Sequence, residues 1–280
     1  MIVDFHTHVF SDEMRANRAK FLERDGWFGT LYEDPKHRLV SAEDVIASMQ
    51  EAGVDRTVIF GFPWRDGGLC REHNDYIIDA VRRYPDKLVG FACVQPLDAG
   101  DAKEVDRCLS AGLSGLGELG PDGQKFGIED KWVLEACAEV LVQYGRPLLV
   151  HSSEPVGHRY PGKGETFPWK LLQLAQNFPV LTIVLAHWGG GLPFYELMPE
   201  VREALKNVYY DTAASTYLYD FDIFRAASSI VGTDRILWGT DYPLLSQAKF
   251  LKRVRSCGLP ENDLDAILGG NAARLLRLQE

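Results

Sequence analysis

Short β-rich runs recur along this chain of 280 residues, and segments with helical patterning separate them. Several runs are nearly continuous apolar stretches, as expected for strands that are covered on both faces. The predicted strands span residues 1–6, 56–62, 88–94, 113–119, 146–152, 180–187, 207–213 and 235–241. Strands that alternate with helices in this way predict an α/β fold, a closed parallel (β/α)8 TIM barrel, formed by one domain over residues 1–280.

Local capping signals place two of the connecting helices. Ser41 and Asp44 form a near capping-box pattern, which predicts a helix that ends at Gly53. A second helix is predicted to begin at Asn74, or at the aspartate after it, and to end at Tyr84 before a proline.

Two connections are unusually long and carry no clear periodicity. They span residues 9–40 after the first strand and 153–168 after the fifth. Loops of this length are uncommon in compact domains unless they cover a site. Both follow the carboxyl ends of strands, where barrels build active sites, so we expect both loops to border a pocket.

The charge of the chain limits its partners. The formal net charge is −10, and no basic run could neutralise a phosphate backbone, so a nucleic-acid partner is excluded. The chain begins directly with a predicted strand, and no stretch approaches about 18 uninterrupted apolar residues. These features predict a cytoplasmic protein that neither is secreted nor spans a membrane.

The cysteines show no sign of a disulfide framework. They are odd in number, widely spaced and without a Cys-x-x-Cys pair, which predicts reduced and mostly structural thiols. The five are Cys70, Cys93, Cys108, Cys137 and Cys257.

The segment Asp4-Phe5-His6-Thr7-His8 places two imidazoles at alternate positions of the first predicted strand. Alternate side chains of a strand share a face, so His6 and His8 should converge at the carboxyl end of the strand. A His-x-His pair alone is also compatible with a core or an edge. The pair therefore counts as half of a metal site only if other strands supply the remaining ligands.

Four further strands end in polar side chains at the same rim. The candidate ligands are His6 and His8 on strand one, Glu118 on strand four, His151 on strand five, His187 on strand six and Asp241 on strand eight. Histidine nitrogens with carboxylates favour Zn²⁺, with Mn²⁺, Fe²⁺ and Co²⁺ as alternatives. A shell of His6, His8, His151 and Asp241 would leave a position open for an activated water. In this hypothesis Asp241 is the proton acceptor, and His187 polarises the substrate.

Taken together, the motifs resemble those of the amidohydrolase superfamily, in the branch called amidohydrolase-related or amidohydrolase 2. The resemblance covers nearly the whole chain and rests on residues 4–8, 74–96, 239–243 and 267–276 and on the single histidines His151 and His187. It implies a (β/α)8 barrel with His6, His8, His151 and Asp241 as metal ligands and His187 as a ligand or catalytic residue. The branch includes hydrolases, lactonases, a hydratase and non-oxidative decarboxylases, so the resemblance leaves the reaction open.

Glu118 has two interpretations. Binuclear relatives bridge two metal ions with a residue of the fourth strand, and Glu118 offers a carboxylate there. Alternatively, Glu118 supports the barrel rim by hydrogen bonding. One or two ions are therefore compatible with the sequence.

Candidate substrate contacts lie in the loops. His158 and Arg159, in the loop after His151, could bind a substrate carboxylate, or they belong to an ordinary charged loop. Trp64 and Arg65 follow the second strand and could wall the pocket, although buried aromatics more often serve packing. Asp211, at the end of the seventh strand, either orients a neighbouring histidine or is a satisfied rim carboxylate.

The leading hypothesis is a metal-dependent hydrolase that cleaves a small amide, ester or lactone with a metal-activated water. The alternative is a non-oxidative decarboxylase of an aromatic or unsaturated carboxylic acid, in which an acidic group protonates the carbon. A barrel that only binds ligands would have lost Asp241 or a histidine, and none is lost. The expected partner is a small molecule, with a carboxylate group as one option, and a homodimer stays open.

Overall fold

The computed structural model describes residues 1–279 and contains all eight predicted strands. The first has the predicted length but begins two residues later, and the other seven are shorter than the sequence pattern suggested. Every pairing between neighbouring strands is parallel. The strands are Val3–His8 (β1), Arg56–Phe60 (β2), Leu88–Gly90 (β3), Leu116–Leu119 (β4), Leu148–Val150 (β5), Ile183–Leu185 (β6), Val208–Asp211 (β7) and Ile236–Leu237 (β8).

Backbone hydrogen bonds close the strands into a ring. Continuous ladders join β1 to β3 and β4 to β8. Between β3 and β4, the amide of Gly117 donates to the carbonyl of Ala92 at 2.7 Å, and between β8 and β1 the amide of Phe5 donates to the carbonyl of Trp238 at 2.8 Å. The predicted α/β barrel is therefore confirmed.

A buried carboxylate fastens the seam between β8 and β1. Asp4 is fully buried, and its oxygens accept hydrogen bonds from the Thr240 amide at 2.9 Å, the Thr240 hydroxyl at 2.6 Å and the Gln247 side chain at 2.8 Å. Thr240 lies just after β8, so these contacts hold the chain after β8 against β1.

Helices surround the barrel, and none in residues 1–279 is long and apolar enough to cross a membrane. The α-helices are Asp12–Ala16 (α1), Arg18–Arg24 (α2), Gly26–Tyr32 (α3), Ala42–Ala52 (α4), Gly67–Arg83 (α5), Asp101–Ser110 (α6), Pro121–Gln124 (α7), Lys131–Tyr144 (α8), Pro168–Asn177 (α9), Pro199–Ala204 (α10), Ser215–Leu218 (α11), Asp222–Val231 (α12), Gln247–Val254 (α13), Glu261–Asp265 (α14) and Asn271–Leu276 (α15). Two 3₁₀ segments span His187–Leu197 and Thr233–Arg235, and a π-helical turn spans Ala266–Gly270.

One of the two predicted helix starts is right and the other is wrong. Helix α4 begins after Ser41 with a complete capping box to Asp44 and ends at Gly53. Helix α5 begins at Gly67, seven residues before the predicted Asn74, because the Asp66 carboxylate accepts the first free amides of the helix.

The two long connections differ from each other. The segment 9–40 is not irregular as predicted, because it contains the short helices α1, α2 and α3. The connection over 153–168 is irregular up to the start of α9, as predicted. The five cysteines are free thiols, four of them buried.

A bulge in β1 decides which way the histidines point. Asp4 lies opposite Thr57 and Thr7 lies opposite Ile59, so three steps along β1 match two along β2. Before the bulge, Phe5 packs inside the barrel with apolar side chains of five other strands. After it, His6 also faces inward, because its ring lies against the interior side chain of Phe60, with ring centroids 4.9 Å apart.

A second bulge, in β4, determines the direction of the Glu118 side chain. Leu116 lies opposite Leu148 and Leu119 opposite Val150, so the register again shifts by one residue. Leu116 and Leu119 both pack outside the barrel under the helices, and the bulge between them turns Glu118 toward the site. Gly117 permits this path, with φ of 125° and its backbone pressed against the carbonyl of Leu149.

We expect Gly117→Ala to destabilise the protein by more than about 4 kcal/mol or to prevent folding, because a Cβ there would lie 2.1 Å from the Leu149 carbonyl oxygen. The control is Gly112→Ala, where φ is also positive, at 105°, but no atom lies within 4 Å of the new Cβ. That variant should lose only about 1–2 kcal/mol. Urea unfolding measures both, and equal losses would refute the steric argument.

His73 is a structural histidine in α5. Its Nε2–H donates to the carbonyl of Val9 at 2.7 Å, and its Nδ1 accepts the indole N–H of Trp64 at 3.0 Å. The ring is fully buried and has no place for a second proton. Burial accordingly lowers the pKa of His73 to about 4.

This lowered pKa predicts a loss of stability in mild acid. The folded-state pKa lies below the unfolded value of about 6.5, so the contribution of His73 is complete above pH 6.5 and is lost as the pH falls toward 4. Between pH 7 and pH 5, the unfolding free energy should fall by about 2 kcal/mol more in the wild type than in His73→Gln. Urea unfolding in chelator at both pH values tests this, with the exposed His37→Gln as the control. Equal slopes in wild type and His73→Gln would contradict it.

Candidate active site

Six predicted site residues converge at the carboxyl end of the barrel. They border a pocket of about 600 Å³ or lie directly beneath it. The residues are His6, His8, Glu118, His151, His187 and Asp241.

The Nε2 atoms of His6 and His8 face the same two carboxylates, those of Glu118 and Asp241. The Nε2 atom of His6 lies 3.8 Å from Glu118 Oε2 and 3.7 Å from Asp241 Oδ1. The Nε2 atom of His8 lies 3.5 Å and 3.6 Å from the same two oxygens. Bonds of about 2.0–2.2 Å place neighbouring ligands of one cation about 3.0–3.6 Å apart. His6, His8 and Asp241 form a set of three donors whose ligand atoms all lie within 4.8 Å of one another, which fits a shared divalent cation after small side-chain shifts.

Hydrogen bonds select the tautomers that such a cation needs. His6 Nδ1 lies 2.8 Å from Asp211 Oδ2, and His8 Nδ1 lies 3.1 Å from the carbonyl of Gly61. Both partners are acceptors, so each Nδ1 carries a proton and each Nε2 keeps its lone pair for the site. His6 Nε2 is buried and has no hydrogen-bond partner, as expected of a metal ligand.

Glu118 connects this set to the other two histidines. Its Oε1 atom lies 3.1 Å from His151 Nδ1 and 3.4 Å from His187 Nε2, while its Oε2 atom faces His6 and His8. One carboxylate thus faces two histidine pairs. This geometry is compatible with a bridging ligand and with a hydrogen-bonding support.

The electrostatics of the cluster favour added positive charge. Burial opposes a charge on His6, but the carboxylates of Asp211 and Glu118 outweigh it and raise the pKa of His6 to about 9. Burial also opposes the charge of His187, and Glu118 raises the pKa of that ring to about 10. Burial would raise the pKa of Glu118, but His6 and His151 hold it well below its usual range. A metal ion would compete with these protons for the same carboxylates.

Asp211 lies beneath the cluster and positions two of its histidines. It is fully buried, it accepts from His6 Nδ1, and its other oxygen accepts the backbone amides of His187 and Ala213, each at 3.0 Å. Of its two sequence interpretations, the geometry matches the one in which Asp211 orients a histidine. His187 needs this support, because its φ of 55° is left-handed and costly for a residue other than glycine.

Above the donors, the pocket is aromatic and carries cations near its mouth. Aromatic and apolar walls come from Trp27, Leu31, Tyr32, Phe62, Tyr160, Tyr217 and Leu218, and the cationic or titratable side chains are Lys36, His37, Arg38 and His158. The sequence identified segment 9–40 as a cover for the site but did not single out Tyr32 or Arg38. No local pattern distinguishes these residues from their neighbours in that segment.

Of the four predicted substrate contacts, the structure brings only His158 to the pocket. Trp64 is fully buried in the packing between α3 and α5. Arg65 turns away and donates to the carbonyl of Gly123. Arg159 is exposed beside the pocket mouth and does not line it.

The closed barrel and its rim of histidines and carboxylates define a metal-dependent barrel enzyme. Residues 3–278 match the sequence model of the amidohydrolase family. The chain therefore belongs to that family, as its motifs indicated.

Several similar proteins are decarboxylases, and their similarity to this chain extends over nearly its whole length. Gamma-resorcylate decarboxylase of Rhizobium radiobacter is 24% identical, with 99% of this chain and 98% of the relative aligned. The crystal structure of 5-carboxyvanillate decarboxylase from Sphingomonas paucimobilis shares the fold with a TM-score of 0.83 at 20% identity, covering 99% of both chains. The same enzyme of Novosphingobium aromaticivorans, solved with manganese and 4-hydroxy-3-methoxy-5-nitrobenzoic acid, has a TM-score of 0.79 at 19% identity, covering 99% of this chain and 96% of that one.

These comparisons correct two expectations. The prediction of amide, ester or lactone hydrolysis is wrong, because the similar proteins are decarboxylases. The preference for zinc has no support, because the relatives solved with an ion contain manganese. The ligand types are shared by both ions and both reactions, so they could not separate them.

The Asp211 contacts lead to a prediction about metal affinity. We expect Asp211→Asn to weaken Mn²⁺ binding about 10- to 100-fold, because His6 loses the charged acceptor that fixes its tautomer. Calorimetric titration of metal-free protein with Mn²⁺ measures this. The control is Asp25→Asn, since Asp25 is also buried and accepts backbone amides but touches no imidazole. Wild-type affinity in Asp211→Asn would contradict the role of Asp211.

Proposed function

We propose that this protein is a metal-dependent, non-oxidative decarboxylase of a small aromatic or unsaturated carboxylic acid. The observation that carries the proposal is that a chain matching decarboxylases over its full length has all six rim donors gathered beneath an aromatic pocket. Both parts are needed, because the barrel alone is compatible with many reactions.

His6, His8 and Asp241 are the residues we assign to the metal, with Glu118 and His151 next to them. Imidazole and carboxylate ligands suit Mn²⁺ as well as the neighbouring divalent ions, and the precedent of the relatives favours Mn²⁺ here. When bound, the ion would supply a positive centre that holds substrate oxygens and draws electron density away from the carbon–carbon bond.

The pocket has the size and the surfaces for one acidic ring. Its volume of about 600 Å³ lies within the range of small-molecule sites. Trp27, Tyr32 and Phe62 offer apolar faces against which a planar ring can pack. Lys36 and Arg38 place positive charge near the mouth of an otherwise acidic protein, so an anionic substrate is drawn toward the pocket.

Decarboxylation requires a proton donor for the carbon that loses carbon dioxide. The electron pair of the broken carbon–carbon bond forms a carbon–hydrogen bond, and the proton must come from a group in the pocket. We assign this role to Asp241, since Oδ1 faces His8 while the side chain keeps 16% of its surface open to the pocket. Asp241 takes up the proton from solvent or from the substrate before passing it on.

His187 is assigned to the substrate carboxylate. Its Nδ1 faces the carbonyl of Ala213 at 3.2 Å, and its Nε2 faces the pocket beside Glu118 and His151. A second proton on this ring would make it a charged donor to a carboxylate. His187 is only 5% exposed and Glu118 only 4% exposed, so little water reaches this part of the site. A contact between a charged His187 and a carboxylate is stronger in such surroundings than in water.

We expect protein loaded with Mn²⁺ to release carbon dioxide from at least one member of a panel of hydroxylated benzoic acids and unsaturated dicarboxylic acids. Asp241→Asn should lower kcat at least about 1,000-fold at saturating metal, because the carbon loses its proton donor. Asp220→Asn, an exposed aspartate of a neighbouring loop, serves as the control. A coupled carbon dioxide assay with product analysis measures both. No release from any acid at full metal occupancy, or full activity in Asp241→Asn, would refute the proposal.

A further inference from the structure

The irregular loop 155–164, between β5 and α9, forms one wall of the pocket. Residues 155–159 are exposed, yet His158, Tyr160, Pro161 and Gly162 line the cavity above the donors. An irregular loop with so much exposed chain needs specific contacts to keep one conformation.

A buried carboxylate supplies these contacts. Glu154 is 8% exposed, and its Oε2 atom accepts the hydroxyl of Tyr160 at 2.9 Å. The ammonium group of Lys163 lies 3.9 Å from the same oxygen. The other oxygen, Oε1, is buried and has no hydrogen-bond partner, so the protein pays a desolvation cost to keep this charge inside.

Lys163 extends the contact to the exposed part of the loop. Its ammonium group donates to the carbonyls of Val156 at 2.6 Å and His158 at 3.0 Å, and it lies 5.4 Å from the centre of the Tyr160 ring. The Lys163 side chain is only 6% exposed. Glu154, Tyr160 and Lys163 therefore form a clasp that holds both sides of the loop together.

The carboxyl end of the loop is anchored separately. Asp122 accepts the amides of Glu165 and Thr166 at 2.8 and 3.0 Å, and Ser153 accepts the amide of Gly164 at 3.1 Å. These contacts fix where the loop ends but do not reach His158 or Tyr160. Within the pocket-lining part, the amide of Lys163 donates to the carbonyl of Tyr160 at 3.1 Å, and the clasp ties this turn to the buried Glu154.

The charge of Glu154 also acts on Tyr219, in the connection after β7. The hydroxyl of Tyr219 is buried without a partner, and burial together with the charge of Glu154 raises the pKa of Tyr219. The neighbouring residues Tyr217 and Leu218 line the pocket. The charge of Glu154 is thus felt by Tyr160 and Tyr219, which belong to two connections that both contribute to the pocket wall.

We propose that Glu154 is a positioning residue, which fixes Tyr160 and loop 155–164 as a rigid wall against the substrate ring. The inference rests on the proposed function, because it takes an acidic ring as the occupant of the pocket. Glu154 does not line the pocket, and its Oε2 atom accepts from the Tyr160 hydroxyl, which belongs to the pocket wall. Its effect is to preserve the shape of the pocket before the substrate binds, which lowers the cost of ordering the loop on binding.

The kinetic test uses Glu154→Gln and Tyr160→Phe on Mn²⁺-loaded protein with the best substrate of the panel. Each variant should raise KM about 5- to 20-fold and change kcat by less than about 3-fold, because binding is weakened and the chemistry is left intact. The double variant should be no worse than the more severe single one, since both remove the same clasp. The control is Glu129→Gln, because Glu129 does not line the pocket but also has a buried, unpartnered carboxylate oxygen and a lysine ammonium group 3.6 Å away. Its KM should match that of the wild type.

A second readout does not require activity. Tryptic cleavage after Arg159 should be at least about 10-fold faster in Glu154→Gln and Tyr160→Phe than in the wild type or Glu129→Gln, since opening of the loop exposes the bond. Faster cleavage with unchanged KM would overturn the positioning role, and unchanged cleavage would overturn the clasp. If no acid is decarboxylated, the proposed function fails, and cleavage still decides whether Glu154 holds the loop. If Glu154→Gln does not fold, Tyr160→Phe carries the same test.

Discussion

The seam between β8 and β1 brings the two halves of the candidate metal site together. His6 and His8 come from the first strand of the ring, and Asp241 follows the last. The buried Asp4 carboxylate holds Thr240 against β1, and the amide of Asp241 donates to the carbonyl of His6 at 2.9 Å. The donors that are farthest apart in the chain are therefore neighbours in space because the ring closes at this point.

Closure alone would not produce the site, because the donors must also point inward. In β1 and in β4 a one-residue bulge turns the next functional side chain toward the interior. Asp211 then fixes the tautomer of His6 and the backbone of His187. The outcome is a nearly dry cluster rich in carboxylates, in which either protons or a metal ion must balance the charge. A positive centre in such surroundings suits a reaction in which a carboxylate leaves as neutral carbon dioxide.

The barrel and the loops have different roles in the candidate site. The strands position the donors, and the connections after β1 and β5 supply much of the pocket wall. The first wall is stiffened by helices α1 to α3 and by packing among Phe28, Tyr32 and Phe62. The second has no regular structure and relies on the Glu154 clasp. The two parts of the pocket wall are therefore held by different physical means.

The sequence by itself determined the eight strands and the six rim donors. Apolar runs and the polar residues that end them are local patterns, and the parallel barrel follows from their alternation with helices. Ser41 and Asp44 likewise marked a helix start, because both partners of that cap lie within one turn. The choice between hydrolysis and decarboxylation was not encoded in these patterns, since both reactions use the same ligand types.

Only the tertiary structure decided the two bulges and the contact of Asp211 with His6. It also separated His158, which lines the pocket, from Trp64, Arg65 and Arg159, which do not. A register shift exists only between two paired strands, and a side chain faces a cavity only when distant segments build its walls. These features depend on residues far apart in the chain, so no local pattern in the sequence could specify them.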